Sequence, residues 1–410
     1  MEMLLQGYRI LDLCDERGYL CGKLLADLRT QVIAVESPQG SPARRQRPFY
    51  RGDSGSSLSW TAYSAGKKGI TINLATGKGR ELFRLLVAAS DAVVESFPPG
   101  YMASLGLDYR SLKQVNPSLV MVSITPFGQS GPYARYKATD LTVNALGGFL
   151  YMTGDPDRPP VRISFPQAWL IAGAAAAVGT AMALFHRTRT GQGQHVDVSA
   201  QAAVARTLDR APAFWDIGGQ VLERAGPMAR PGGGTLRRML WPCKDGHVSY
   251  LMLGGTTGSR SLRALIAWMD EEGFDADYIK DLPWEEMDFT AIPPEVLRRT
   301  DETLGRFFSK YTKAQLWQQA KERRLLLYPV STPSEVFQHV KELSPHLLHQ
   351  TGEPGTSEPT SYLGPFLTLG PQTNSDRRAP ALGEHNEEVY EGLLGIPRGR
   401  LRWLKAKGAI

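Results

Sequence analysis

The chain reads as an α/β protein with a largely parallel sheet and a second, smaller domain. Two observations carry that reading. Over the first two hundred residues, short β-branched and leucine-rich runs alternate with segments of helical spacing, the pattern of βαβ units. A break rich in glycine and proline then follows, with Gly218-Gly219 and Pro231-Gly232-Gly233-Gly234, and the texture of the chain changes beyond it. A length of 410 residues allows two or three domains and a large core.

The elements follow in order. Tyr8 to Leu13 is a strand, Gly22 to Leu28 a helix, and Val32 to Val35 the next strand. Gly69 to Asn73 is a third strand. Gly77 to Ala89 is a helix, with Leu82, Leu85 and Leu86 at helical spacing. Asp91 to Glu95 and Leu119 to Ile124 complete the strand set. No Gly-x-Gly-x-x-Gly follows the first strand, so a dinucleotide site of the usual kind is not supported. Beyond the break, Arg238 to Trp241 and His247 to Met252 read as a hairpin turning at Lys244-Asp245-Gly246. Helices are expected around 259–270, 293–309 and 313–323, a loop at 352–362, and a helix-rich end from Gly383. The expected division is 1–216 with 326–410 as the large domain, 217–236 as a glycine-rich linker, and 237–325 as the small domain.

Composition narrows the function classes. The formal charge is +6, but Lys and Arg are scattered, with short clusters at Arg44-Arg45 and Arg323-Arg324. A nucleic-acid binder concentrates its charge on a face or an arm, so a small anionic ligand suits this chain better. Three cysteines, Cys14, Cys21 and Cys243, fit no metal-ligand spacing, and no metal is expected. Sparse, odd-numbered thiols suggest a reducing cytoplasm. The start, MEMLLQGYRILDL, lacks a basic n-region, so no signal peptide is expected. Ala168 to Phe185 is nearly free of polar residues, but Ala and Gly dominate it, so it reads as a buried helix rather than a membrane span.

The segment from Gly147 to Ser199 is the most telling. It holds a small-residue helix whose exit carries Ala183, Leu184, His186, Arg187, Thr190, Gly191, Gly193 and Gln194. Elsewhere stand Leu5 to Leu13, Leu25-Ala-Asp-Leu28 with Val32, Ile33 and Glu36, Lys67 to Leu74, and Glu95-Ser-Phe-Pro-Pro-Gly100 with Leu105-Gly-Leu107. Pro117, Phe127-Gly128, Gly131-Pro132-Tyr133 and Pro380-x-Leu-Gly-Glu-His-Asn386 complete the series. In order and spacing these motifs resemble the class III CoA-transferases, the family of formyl-CoA and carnitine CoA-transferases. The opening around Asp15 to Leu28 and the run Trp241 to Gly246 resemble the branch that contains succinyl-CoA:benzylsuccinate CoA-transferase subunits, which serves anaerobic toluene breakdown.

The resemblance implies a fold and a mechanism. The fold is an interlaced dimer, each chain giving a Rossmann-like large domain built from both ends of the sequence and an inserted small domain. The active site lies between one chain's large domain and the other's small domain, beneath a glycine-rich loop that Gly232, Gly233 and Gly234 match. Backbone amides freed there can stabilise an acyl oxyanion. CoA and its acyl thioesters are substrates, and no covalently held cofactor is needed. A carboxylate attacks the thioester to give a mixed anhydride and CoA thiolate, and the thiolate then forms an enzyme–CoA thioester that the incoming acid resolves in reverse.

This chain departs from the family where that chemistry sits. Gln167-Ala168-Trp169-Leu170 stands at the nucleophile, so Trp169 occupies the place of the family's Asp. An indole has no lone pair able to attack a thioester. Ser37 and Ser104 stand where the family has phosphate-binding arginines, and losing them weakens CoA binding. Asp15-Glu16 replaces a small-residue turn near the cofactor and would repel a polyanion. Asp140 is a candidate substitute: as a helix-start residue it satisfies backbone N–H groups, and as a substitute nucleophile it would restore the route. His385 reads as a helix-start residue and His247 as a surface or strand residue.

The leading expectation is a subunit of a heteromeric CoA-transferase. A sister chain of the same family supplies the Asp and the CoA site, in a heterodimer or heterotetramer. CoA moves from an acyl-CoA donor, succinyl-CoA, to a carboxylic acid, benzylsuccinate. The alternatives are a self-sufficient homodimer using another acid such as Asp140 and a regulatory or structural pseudoenzyme.

Overall fold

The computed structural model describes residues 5–50, 57–230, 235–344, 347–351, 360–364 and 378–410. The chain divides into two compact units: residues 1–150, 162–209 and 340–410, and residues 151–161 with 210–339.

In the first unit the alternation forms β1 (Arg9–Leu13), α1 (Tyr19–Asp27), β2 (Gln31–Glu36), α2 (Leu58–Ser64), β3 (Lys68–Thr71), α3 (Gly77–Ala88), β4 (Ala92–Glu95), α4 (Tyr101–Ser104), α5 (Tyr109–Val115) and β5 (Val120–Thr125). Then come α6 (Asp140–Leu146), α7 (Gln167–Thr190), β6 (His195–Ser199) and α8 (Ala200–Arg206). The six strands make one parallel sheet in the order β3-β2-β1-β4-β5-β6. That is the doubly wound order, and its switch point lies between β1 and β4.

Both faces of the sheet are covered, which is why its strands read as nearly continuous apolar runs. Ile10, Val32, Val94 and Val122 face a core shared with Cys21 and Leu25 of α1 and Ala172 and Ala176 of α7. The alternate residues Leu11, Ile33, Val93 and Met121 face Phe83 and Leu86 of α3, Leu112 of α5 and the C-terminal residues Tyr390 and Leu401. β6 is an addition to the expected strands. Its start is set by Gly193, where a Cβ would lie 1.9 Å from the Leu119 carbonyl oxygen. Only glycine lets the chain pass that close to β5.

Helix α7 is long and apolar enough to cross a membrane by composition, yet half of that apolar window is buried within the protein. Ala168, Ala172, Gly173, Ala176 and Ala183 form its buried face, and small side chains permit close approach to α1. Val178, Met182 and Phe185 lie exposed on its other face.

The second unit contains α9 (Arg210–Gly218), β7 (Met228–Ala229), β8 (Arg237–Arg238), β9 (Leu240–Cys243), β10 (Gly246–Tyr250), α10 (Gly255–Glu271), α11 (Pro294–Phe308), α12 (Lys313–Arg323), β11 (Leu327–Pro329) and most of α13 (Pro333–Leu343). The hairpin strand starts two residues later than expected: Gly246 pairs with Cys243, and Arg237–Arg238 pairs instead with Met228–Ala229. β11 completes an antiparallel sheet with β10 and β9, so residues 326–339 belong to this unit and the expected boundary at 326 falls inside it. Residues 151–161 and 210–236 belong to it as well. Its core is aromatic, with Trp241, Tyr250, Trp268, Trp284, Phe307 and Phe308 all buried.

The chain then returns to the first unit. Of the expected loop at 352–362, residues 352–359 lie outside the described residues, and β12 (Leu348–Thr351) pairs with β13 (Thr360–Leu363). A π-helical turn (Glu388–Leu393) and α14 (Arg398–Ala406) form the end. His385 stands at the start of a helical turn, its carbonyl accepting from the Val389 N–H at 2.9 Å, and it also joins this end to the sheet: its backbone N–H donates to the Gly69 carbonyl at 2.9 Å, and its Nδ1 accepts from the Gly69 N–H at 3.1 Å. Asn386 continues the seam by accepting from the Thr71 N–H at 2.9 Å.

Candidate functional site

The start of α7 carries the first part of the site. Its N-cap is Pro166, whose side chain makes no capping bond. The first N–H groups of a helix need acceptors. Asp140 supplies one from a neighbouring helix: its Oδ1 accepts from the Ala168 N–H at 2.8 Å and the Trp169 N–H at 3.4 Å. Its Oδ2 accepts from Asn144 Nδ2 at 2.9 Å. Asp140 does not cap its own helix. Thr139 does that, in a reciprocal capping box with Thr142.

Trp169 is buried among the apolar residues on one face of the sheet. Both residues singled out from the sequence therefore meet at one helix terminus. Burial pushes the Asp140 carboxyl above its usual range, while the Trp169 and Ala168 amides pull it back.

The second part is a cleft of about 310 Å3 at the carboxyl ends of β1 and β2, beside the switch point where doubly wound sheets take their ligands. Ser37 lines it, its hydroxyl directed to the Gly40 carbonyl at 3.3 Å. Ser104 is exposed on α4, its hydroxyl donating to the Tyr101 carbonyl at 2.7 Å. The expected repulsion from Asp15 is offset, because Arg17 Nε holds both Asp15 oxygens at 2.8 and 3.1 Å. Glu16 bonds the Gln46 side chain.

Buried polar groups surround the cleft. Lys67 Nζ pairs with Asp12 Oδ2 at 2.8 Å, and both side chains are almost wholly enclosed. Gly22 makes room for that pair, since a Cβ there would sit 2.1 Å from Asp12 Oδ2. Glu36 takes two 2.7 Å bonds from the guanidinium of Arg44. Sequence reasoning named Glu36 and Arg44 separately but missed their pairing across eight positions, because no local pattern links them. At the end of β4, burial pushes the Glu95 carboxyl up to about 7, opposed by Ser123 and the Phe97 amide. Gly232, Gly233 and Gly234 lie outside the described residues. They fall between the paired strands β7 and β8, and just after them the Thr235 N–H donates to the Thr290 carbonyl at 3.0 Å.

Residues 5–386 match the family model of CoA-transferase family III. The chain belongs to that family. Among its relatives, the succinyl-CoA:(R)-benzylsuccinate CoA-transferase subunit BbsE of Thauera aromatica is 36% identical, over 98% of this chain and 97% of that protein. The succinyl-CoA–L-malate CoA-transferase alpha subunit of Chloroflexus aurantiacus is 32% identical over 55% of this chain and 53% of its own length. A CAIB/BAIF family protein from Brucella suis has a crystal structure that superposes with a TM-score of 0.77 at 26% identity, covering 96% of this chain and all of that one. The doubly wound sheet described above is accordingly the large-domain sheet of a class III CoA-transferase fold.

Proposed function

We propose that this chain is the non-nucleophilic subunit of a heteromeric, cytoplasmic CoA-transferase. The observation that carries the reading is the state of the only two candidates at the start of α7. Trp169 is a buried indole, and both carboxylate oxygens of Asp140 are engaged by backbone and Asn144 donors. A carboxylate serving as an N-cap is a poor nucleophile, because attack would require giving up the bonds that hold the helix start. The engaged oxygens of Asp140 count in the same way against a homodimer that used Asp140 as its nucleophile.

In this reading a sister family chain brings the Asp and the CoA site. The two chains interlace, and the segment Gly232 to Gly234 closes over the sister's site and offers backbone amides to the acyl oxygen. The exposed Val178, Met182 and Phe185 of α7 supply apolar area for that association. Relatives named as subunits support assembly with a sister chain. The donor is succinyl-CoA, by analogy with the names both relatives carry, and the acceptor is benzylsuccinate, by analogy with the name of BbsE alone.

The test is purification of this chain from its native host, native mass spectrometry, and a CoA-transfer assay on the same sample. A two-component complex, active only when both chains are present, is the expected result. Full transferase activity from this chain alone overturns the proposal.

A further inference from the structure

Three cationic side chains are buried among the described residues: Lys67, Arg237 and Lys313. Lys67 is paired with Asp12 at 2.8 Å and Lys313 with Glu335 at 2.6 Å. Arg237, only 4% exposed, has no carboxylate opposite it among the described residues.

The partners it does have are weak ones. Nη1 donates to the Met252 carbonyl at 2.6 Å, and the guanidinium lies 5.7 Å from the centre of the Phe289 ring. Nε is sealed in without a partner. Nη2 has no partner among the described residues either, but unlike Nε it is not sealed, so it is the edge left open to a ligand. A carbonyl and a ring face supply only partial charge, and a full charge taken out of water without a counter-ion is costly. Burial accordingly pulls the guanidinium below its ordinary range, and no charged group opposes that. An arriving carboxylate would relieve the cost, and the planar guanidinium fork matches it.

The strand fixes this side chain in place. Arg237 stands in β8 opposite Ala229 of β7. Side chains alternate along a strand, so Arg238 turns the other way, where its Nε lies 3.9 Å from Asp301 Oδ2. The two neighbours thus differ: Arg238 has an acid in this chain and Arg237 has none. Just upstream, the Thr235 N–H and hydroxyl both donate to the Thr290 carbonyl at 3.0 Å, tying the entry to β8 to the residue that follows Phe289. The guanidinium is therefore held ready rather than ordered on binding, which lowers the cost of taking a ligand. In the sequence, Arg237 follows Gly234 by three positions.

We propose that Arg237 binds the free carboxylate of a dicarboxylic acid, the end that is not joined to CoA. The inference deepens the subunit reading and rests on it for the identity of the acid. The stretch that brings Gly232 to Gly234 to the sister's acyl group also brings a counter-charge for the far end of the same molecule.

Equilibrium dialysis of the native assembly with radiolabelled succinate and butyrate tests it without requiring activity. The two acids share a carbon chain length and differ by one carboxylate. Succinate is expected to bind roughly tenfold or more tightly than butyrate, the increment of a hydrogen-bonded charge pair. Arg237→Met keeps an apolar stem and removes the charge; it should abolish most of that difference by weakening succinate, with butyrate unchanged. Arg237→Lys keeps the charge without the fork and should retain part of it. Equal affinity of the unaltered assembly for the two acids, or no succinate binding, overturns the proposal without any variant having to fold. So does a preference for succinate that survives Arg237→Met undiminished. Equal weakening of desulfo-CoA by Arg237→Met would put the guanidinium on a phosphate, and dissociation of the assembly in both variants would give it to a carboxylate of the sister chain; either result overturns the proposal. An active homomer would overturn the subunit reading alone, and the ratio of succinate to butyrate binding would still decide the role of Arg237.

Discussion

Asp140 and Trp169 meet through the backbone: Asp140 Oδ1 lies 2.8 Å from the Ala168 nitrogen and 3.4 Å from that of Trp169. The Asp140 carboxylate is thus part of the scaffold that fixes the start of α7. Its charge suits a helix N-terminus, where the macrodipole and unpaired N–H groups favour an anion.

Asp140→Ala should therefore act on stability. Removing an N-cap costs about 1–2 kcal/mol, and here the loss falls on the longest helix of the large unit. Asp140→Asn, which keeps an acceptor, should recover most of it. Thermal unfolding of both variants checks this. Should Asp140→Ala abolish transfer while leaving the melting temperature unchanged, Asp140 would be acting in the chemistry after all.

On the proposed reading, placing an Asp at position 169 should not create transferase chemistry. Trp169→Asp places a second carboxylate beside Asp140 and empties an indole-sized space; large-to-small changes of a buried Trp cost about 3–5 kcal/mol. The expected outcome is a lower melting temperature and no acyl hydroxamate formed on this chain when acyl-CoA and hydroxylamine are supplied. Trapping of an acyl group at residue 169 would mean that the rest of the site is intact.

Glu95 should impose a pH dependence on folding. Its carboxyl rises from an ordinary 4.5 to about 7 in the folded protein. The folded state thus holds the proton more tightly than the unfolded state does. Stability is full below about pH 4.5 and is lost as pH rises toward 7. Glu95→Gln keeps an acceptor for the Phe97 amide and removes the titration. The variant should match the wild type near pH 4.5 and exceed it above pH 7 by up to about 3 kcal/mol. Paired denaturant melts across that range give the answer, and a stability difference that does not change with pH would refute it.

The Lys67–Asp12 pair should behave as a unit. Lys67→Met leaves Asp12 enclosed without its counter-charge, and breaking one side of a buried pair costs about 3–5 kcal/mol. The double change Asp12→Leu with Lys67→Met should recover most of that loss. A double-mutant cycle measures the coupling, and simple additivity of the two changes would show that the pair does not interact.

Much of the large unit was legible in the chain because its determinants are local. Strands buried on both faces become uninterrupted apolar runs, and α3 announces itself by the spacing of Leu82, Leu85 and Leu86, although only the first and last of these are buried. The small unit was less legible. β11 is three residues long and holds its place through pairing with β10, so it carries no pattern of its own, and β8 was drawn into the wrong pair for the same reason.

The sequence by itself determined the alternation that builds the parallel sheet, the motifs that place the chain in its family, and the small-residue helix at whose start Trp169 stands. Those are properties of neighbouring residues or of order along the chain. Only the tertiary structure decided that Asp140 caps a helix beginning 27 residues later, bonding to Ala168 across 28 positions. It alone decided that Lys67 is spent on Asp12 across 55 positions, and that His385 seals the edge strand at Gly69 across 316. The physical reason is common to all three. A hydrogen bond or ion pair is set by distance in space, and partners so far apart along the chain leave no periodicity from which either could be inferred.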